Sequence, residues 1–383
     1  MEARDLAGCS KMAAKWSQAM FIQFRKFTHQ LFVAVLATFI ATYFASEAAA
    51  STVKYRTLGR AQGRAWSVLF SPDGRSLVIR RELPDAQGIY DYDEAIEVWD
   101  VQRRRLKYRL TQLKMKVFFN SVCFSPDSRV LALVVNINDE SASRSHTDIR
   151  LLVARTGKLL KTIPARSDFV EGLAFWPANR MLTGLTRAGI KVWDVRTGKL
   201  VRLWPQPFGP MLHIAFSPNR KMFATVDNVD TSASQRQGRD TGARLYNIRS
   251  GKLMRVLEKQ SSEYTLIFSP DGQTLAMGTG SIRLWNVKTG RLFRTIQLPE
   301  KNPNVPRYLH TLAFSPDGGT LAGGGGESIR TALWSARTGK LLYTLPEKPN
   351  QEYNGANNVA FSPNGRLLAV ANDNGTVRLW RLR

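Results

Sequence analysis

The chain has 383 residues, 43% hydrophobic and 22% charged, enough for two ordinary domains or one large repeat array around a core. Lys and Arg number 55 against 30 Asp and Glu, a formal charge of +25, which excludes an acidic solvating tail and raises the question of an anionic partner. Two Cys and four His exclude a disulfide-stapled scaffold and a Cys-rich zinc module.

Residues 31–45, LFVAVLATFIATYFA, carry no charge. The run is short for a bilayer span, which needs roughly 20 apolar residues, but it suits the core of a secretory signal. Arg25 and Lys26 precede it, and Ala48-Ala49-Ala50 supplies the small residues a signal peptidase requires. Residues 1–50 are therefore expected to be a signal peptide or a membrane anchor, with Met1 or Met20 as the start, and residues 51–383 the globular part. Either reading places that part across a membrane, as an exported protein that is periplasmic, extracellular or tethered by residues 31–45. Leu6-Ala7-Gly8-Cys9 imitates a lipoprotein box, but the apolar segment follows the Cys instead of preceding it. Cys123 alternates with Val122 and Phe124 and is expected to be a buried, inert thiol.

From residue 53 onward the chain repeats. Phe70-Ser71-Pro72-Asp73-Gly74 recurs at Phe124, Phe175, Phe216, Phe268, Phe314 and Phe361, with Pro-to-Pro spacings of 54, 51, 41, 52, 46 and 47 residues. In the Ser-Pro-Asp-Gly turn, Pro presets φ, Asp or Asn bonds the local backbone, and Gly takes the left-handed position. Each unit predicts an apolar strand ending in the Phe, a second apolar strand after the turn, and a third such as Ile190-Lys191-Val192-Trp193. A Thr-Gly-Lys turn then leads into a fourth. A four-stranded sheet with two apolar faces cannot bury both alone, whereas stacking seven around an axis does so.

The Phe-Ser-Pro-Asp-Gly turn, the third-strand Trp and the Thr-Gly-Lys hairpin resemble the WD40-repeat (WD40/YVTN-like) β-propeller family over residues 52–383. The Trp position reads Trp99, Leu152, Trp193, Tyr246, Trp285, Trp334 and Trp380. The family's Gly-His pair is absent, and His213 and His310 lie too close to the Phe to replace it, so the resemblance is to divergent propellers of the secreted bacterial type. It implies an all-β fold, a seven-bladed β-propeller of four-stranded antiparallel blades. The seventh unit stops after its third strand, and Val53–Leu58 resembles a fourth strand, so an N-terminal strand is expected to complete the last blade and close the ring.

No nucleophile elbow, Walker loop, His-Glu-x-x-His or Cys-x-x-Cys occurs. No catalytic residue, metal ligand or cofactor is expected, and no small-molecule substrate is inferred. The run Gly323–Gly326 is expected to be a flexible loop of the sixth unit. Three segments between second and third strands are long, residues 83–94, 136–148 and 227–242, and together hold ten acidic and three basic residues. Within the first, Tyr90, Asp91, Tyr92 and Asp93 are candidate partner-binding residues. Cations gather instead at the third-to-fourth-strand turns. Arg103, Arg104 and Arg105 are the densest group and further candidates for binding, followed by Arg155, Lys158, Arg196, Lys199, Arg249, Lys252, Lys288, Arg291, Arg337 and Lys340. Lys161, Arg202, Arg255 and Arg294 continue this charge onto the outer strands. Such charge protects exposed sheet edges or meets an anionic membrane or envelope surface. The expected function is a non-catalytic protein-binding or scaffold propeller. The alternatives are a propeller enzyme with an axial pocket and a basic propeller binding an anionic polymer or nucleic acid. Nucleic acid is disfavoured, because a secretory leader removes the protein from it.

Overall fold

The computed structural model describes residues 54–60, 63–83, 93–114, 121–139, 144–167, 170–176, 179–186, 188–205, 211–227, 242–259, 265–278, 280–298, 309–325, 331–346 and 355–382. The leader readings on residues 31–45 and Ala48–Ala50 lie outside the described residues. No helix among those described is long and apolar enough to cross a membrane.

Seven four-stranded antiparallel sheets succeed one another along the chain. Blade one runs from Arg64 to Lys114, blade two from Val122 to Ser167 and blade three from Glu171 to Pro205. Blade four spans Met211 to Lys259, blade five Thr265 to Gln297 and blade six Leu309 to Thr344. Blade seven takes three strands from Ala356 to Arg381, and its fourth is the N-terminal strand Tyr55–Arg60. Tyr55 pairs with Trp380 and Leu58 with Val377, so the closing strand is antiparallel and in continuous register over these residues.

The turn chemistry explains the repeat. The Ser71 hydroxyl donates to Asp73 at 2.6 Å and accepts the Ser76 amide at 2.9 Å, while Asp73 accepts the Arg75 amide. Ser125, Ser217, Ser269, Ser315 and Ser362 repeat the hydroxyl bond to the Asp or Asn two residues on. These bonds hold the Asp127, Asp271 and Asp317 carboxyls below the usual carboxylate range, with Asp127 working against some burial.

Each of the seven interfaces between neighbouring blades has its own apolar cluster. The Trp position is a wedge in these clusters: Trp193, Trp334 and Trp380 are each 1% exposed, and Tyr246 and Leu152 substitute for it in blades four and two. The tryptophan contributes area, and removing one such side chain from a core typically costs about 3–5 kcal/mol.

Two expectations need correction. Gly323–Gly325 is strand, not flexible loop, because bare backbone is needed there for close packing. A Cβ on Gly323 would sit 2.7 Å from the Leu309 side chain, and one on Gly324 2.7 Å from Ala356 in the next blade. The segment 136–148 is likewise mostly ladder, with Asn136 paired to Thr147 and Asp139 to Arg144, so the hairpin of blade two is extended by polar strand. Burial pushes the Cys123 thiol up to about 12, which leaves it un-ionised at neutral pH.

Candidate functional site

The sheet order places the first strand of each blade innermost and the fourth outermost. Three residues before each Phe, the inner strand carries Ser67, Ser121, Gly172, His213, Thr265, Thr311 or Asn358. The Thr311 hydroxyl accepts the Val359 amide of blade seven at 3.1 Å, and the Asn358 amide oxygen accepts the Val68 amide of blade one at 3.1 Å. Inner-strand side chains thus stitch blade six to blade seven and blade seven to blade one. The polar residues at this position of blades six and seven are a signal of blade stitching that the reading of Phe, Pro and Trp passed over. His213, at the same position, is driven down to about 4 by burial, so it is neutral at physiological pH. Burial also lowers His310, with Asp373 opposing.

The closing interface is charged in its interior. The Arg81 guanidinium bonds Glu97 at 2.9 Å with both side chains 0% exposed, and it also donates to the Gly375 carbonyl of blade seven. Trp99 Nε1 and Arg109 donate to the same Glu97 carboxylate. Burial alone would raise the Glu97 carboxyl, but Arg81, Trp99 and Arg109 together hold it below the usual range. One residue earlier the side chain faces blade two, where Arg80 forks onto both oxygens of Glu94 at 2.7 Å. Here burial prevails over Arg80 and the Glu94 carboxyl is raised. Asn357 donates to the Ala65 carbonyl and to Asp373, which also faces Arg64 at 3.6 Å. Among the described residues, no group of three or more His, Cys, Asp or Glu could hold a metal ion.

The sequence candidates fall into two places. Tyr90, Asp91 and Tyr92 lie outside the described residues. Asp93 is the first residue of a strand, paired to Leu83 on one side and Lys114 on the other. Glu94 and Asp148, counted with the acidic loops, are buried strand residues, so the acidic surface is smaller than composition implied. Arg103, Arg104 and Arg105 are brought together on one exposed turn. The Arg103 amide donates to the Asp100 carboxylate at 2.7 Å and its guanidinium leans on the same group at 3.4 Å. That amide bond leads the causes that hold Asp100 low.

Arg104 adopts φ 55°, where Gly157, Gly198, Gly251, Gly290 and Gly339 sit at φ 68–76° in blades two to six. A non-glycine residue in the left-handed region costs roughly 1 kcal/mol or more. Arg104→Gly is expected to stabilise the protein by about 1 kcal/mol, read as a higher urea midpoint at unchanged slope. An unchanged or lower midpoint would mean that the arginine relieves its own strain.

The outer-strand cations do more than protect edges. Arg202 donates to the Arg249 carbonyl at 2.7 Å, Arg255 to Thr289 at 2.9 Å and Arg294 to Thr338 at 2.8 Å. Lys161 reaches Arg196 in the same way, and the Tyr108 hydroxyl donates to Ala154 at 2.9 Å. Each bond runs from the outer strand of one blade to the third-to-fourth turn of the next. The turn cations Arg155, Lys158, Arg196, Lys199, Arg249, Lys252, Lys288, Arg291, Arg337 and Lys340 are all exposed.

Seven four-stranded blades with a strand-exchange closure define a seven-bladed β-propeller. Residues 339–381, the end of blade six and most of blade seven, match the family described as "WD domain, G-beta repeat". Protein tipD of Dictyostelium discoideum is 22% identical over 250 residues, 55% of this chain and 39% of that protein. The WD repeat-containing protein 55 homolog of Drosophila erecta is 20% identical over 205 residues, 52% of this chain and 38% of its own length. An uncharacterized WD repeat-containing protein of Synechocystis, sll1491, is 23% identical over 183 residues, 47% of this chain and 46% of its own. The chain matches less than half the length of each of these relatives. The chain is thus a seven-bladed propeller whose last blade matches the WD repeat and whose sequence is similar to WD repeat-containing proteins. Propellers of this family are in general non-catalytic scaffolds for protein interaction.

Proposed function

We propose that this propeller is an exported or membrane-tethered, non-catalytic scaffold whose partner contacts lie on exposed loops and turns. The observation that carries the reading is the division of polar groups. Buried charges such as Arg81, Glu97, Arg80 and Glu94 are bonded to one another, whereas the turn cations are presented to solvent. A scaffold needs a rigid interior and a free rim, and loops or turns on a rigid frame are where binding resides. The segment holding Tyr90, Asp91, Tyr92 and Asp93 and the turn Arg103–Arg105 flank the third strand of blade one, at its two ends. Affinity capture from an envelope extract, followed by mass spectrometry, tests the reading. Stoichiometric retention of a protein partner is expected, and capture of none would reject it.

The leader motivates a processing prediction. Ala48-x-Ala50 behind an apolar run gives a mature N-terminus near Ser51, to be read by N-terminal sequencing of the exported protein. An intact leader on a membrane-bound protein would favour the anchor.

The exposed rim favours a second contact, with an anionic surface. Replacing Arg103, Arg104 and Arg105 by Gln is expected to weaken binding to anionic vesicles and flatten its salt dependence at nearly constant Tm. Exposed cations contribute little to folding but attract over distances that salt screens within about 10 Å at 0.1 M. Wild-type protein that ignores anionic vesicles at low salt would leave edge protection and the inter-blade bonds as the account of the charge.

A further inference from the structure

The large hydrophobic side chains that are exposed among the described residues share one place in the fold. All lie on the fourth, outermost strands of blades one to six, and most fill the first two positions after the third-to-fourth turn. Blade two carries Leu159 and Leu160 there, and blade five Leu292 and Phe293. Consecutive strand residues point to opposite faces of a sheet, yet Leu159 is 51% exposed and Leu160 54%, so both faces of the outer strand are open at its turn end. Single apolar residues scattered over a surface are ordinary, whereas their confinement to one kind of strand end calls for an account.

Edge protection does not supply one. Cations blunt an exposed sheet edge, but leucine, methionine and phenylalanine on that edge invite pairing. The cations further along these strands are engaged elsewhere: Arg202, Arg255 and Arg294 reach carbonyls in the turn of the next blade. The cations in front of each apolar pair are the exposed ones. Arg196 and Lys199 precede Leu200 and Val201, and Arg249 and Lys252 precede Leu253 and Met254. Each outer strand therefore begins with solvent-facing positive charge followed at once by solvent-facing hydrocarbon.

One kind of surface matches both halves of this pattern. An anionic polymer would use the cations and leave the apolar pairs in water. An anionic bilayer offers negative headgroups to the cations and, about 5–10 Å deeper, acyl chains to the hydrocarbon. The level of the pairs is also uniform, because the turns before them are built alike. The Gly198 amide bonds the Asp194 carbonyl, the Gly290 amide that of Asn286 and the Gly339 amide that of Ser335. A motif repeated at one level around a ring meets a plane at several points together, whereas a globular partner meets one sector.

We propose that the face bearing the third-to-fourth turns docks on an anionic bilayer, with the turn cations at the headgroups and the apolar pairs of blades two to six inserted among the upper acyl segments. Arg103, Arg104, Arg105 and Leu106 are the share of blade one. This rests on the anionic-surface contact proposed above and deepens it from attraction by charge to insertion of hydrocarbon.

The test mixes the full chain with vesicles of phosphatidylcholine, alone or with about 30% phosphatidylserine, that carry a trace of lipid photoreactive in its acyl chain. Crosslinked peptides are then mapped by mass spectrometry. Crosslinks are expected at Leu160, Val201, Met254 and Phe293, at least about tenfold more abundant with phosphatidylserine than without it. Combining Leu160→Thr, Val201→Thr, Met254→Thr and Phe293→Thr should cut crosslinking at the unaltered Leu106 and Leu341 at least about fivefold. All four sites are exposed and threonine suits a strand, so near-UV circular dichroism should stay that of the wild type. Should the variant misfold, the comparison of the two vesicles with wild-type protein still decides. Equal yields on the two vesicles would overturn the proposal, as would crosslinks absent from the fourth strands. Association that needs phosphatidylserine and fades with salt, yet gives no such crosslinks, would overturn insertion and leave the contact by charge standing. No association dependent on phosphatidylserine would reject both. Protection of these strand ends by a captured protein, with no lipid crosslink there, would assign the rim to a protein and overturn the proposal.

Discussion

Deletion of residues 52–58 is expected to abolish cooperative folding, whereas deletion of residues 231–241 shifts the melt only slightly. The first removes most of the closing strand, its ladder from Tyr55–Trp380 to Leu58–Val377, and Leu58, which is 1% exposed in the cluster between blades seven and one. Losing one core leucine costs about 2–5 kcal/mol and each ladder bond roughly 1 kcal/mol more. The sum is comparable to the whole stability of an ordinary domain. The second deletion shortens a polar connection between strands ending at Asp227 and beginning at Gly242. Closure entropy changes slowly with length, by about 0.6 kcal/mol per halving. Thermal melts followed by circular dichroism compare the two. Matching curves would mean that the ring does not depend on its closing strand.

Arg81→Met is expected to cost about 3–5 kcal/mol at pH 7, the usual penalty for leaving one half of a buried ion pair behind. The stranded group is Glu97, fully buried and left with Trp99 and Arg109 as donors. The Gly375 carbonyl of blade seven loses its donor as well. The pH dependence has a definite sign. In the wild type the Glu97 carboxyl is depressed, so its contribution is present above the ordinary glutamate range and fades as pH falls through the folded value. In the variant that advantage is gone, and protonation relieves the buried charge. The deficit should therefore shrink between pH 7 and pH 4, as read from urea midpoints. Adding Glu97→Leu should recover part of the loss. A constant deficit across that range would place the effect in packing and not in charge.

The repeat was legible because its signals are local. Ser-Pro-Asp-Gly needs one turn to make sense, and the third-strand Trp needs one wedge position. Val53–Leu58 was recognisable as a missing fourth strand because the last unit stops at Trp380. What escaped depends on register across strands. Arg81 and Glu97 are sixteen residues apart and face each other through the pairing of one hairpin and the approach of blade seven. Nothing in composition marks them as a pair. Glu94 and Asp148 looked like loop acids because polar residues extend the strands beyond their apolar centres, where a ladder continues without a hydrophobic pattern. Gly323–Gly325 looked flexible because glycine is permissive, yet its use here is close approach. Arg202, Arg255 and Arg294 looked like free edge charge because their acceptors are backbone carbonyls of the following blade. Arg103–Arg105 stood out as three cations in a row, and that turn is exposed as expected. Its strain at Arg104 became visible only with the backbone angle.

Hydrogen–deuterium exchange of the full chain, free and bound to a partner captured from envelope extract, tests the scaffold account most directly. The account predicts slowed exchange confined to rim segments, namely the turn Arg103–Arg105 and the connection holding Tyr90–Asp93. Amides of the central strands should exchange alike in both states. Protection centred instead on the inner strands around His213, Thr311 and Asn358, with the rim unchanged, would place binding on the axis and contradict it.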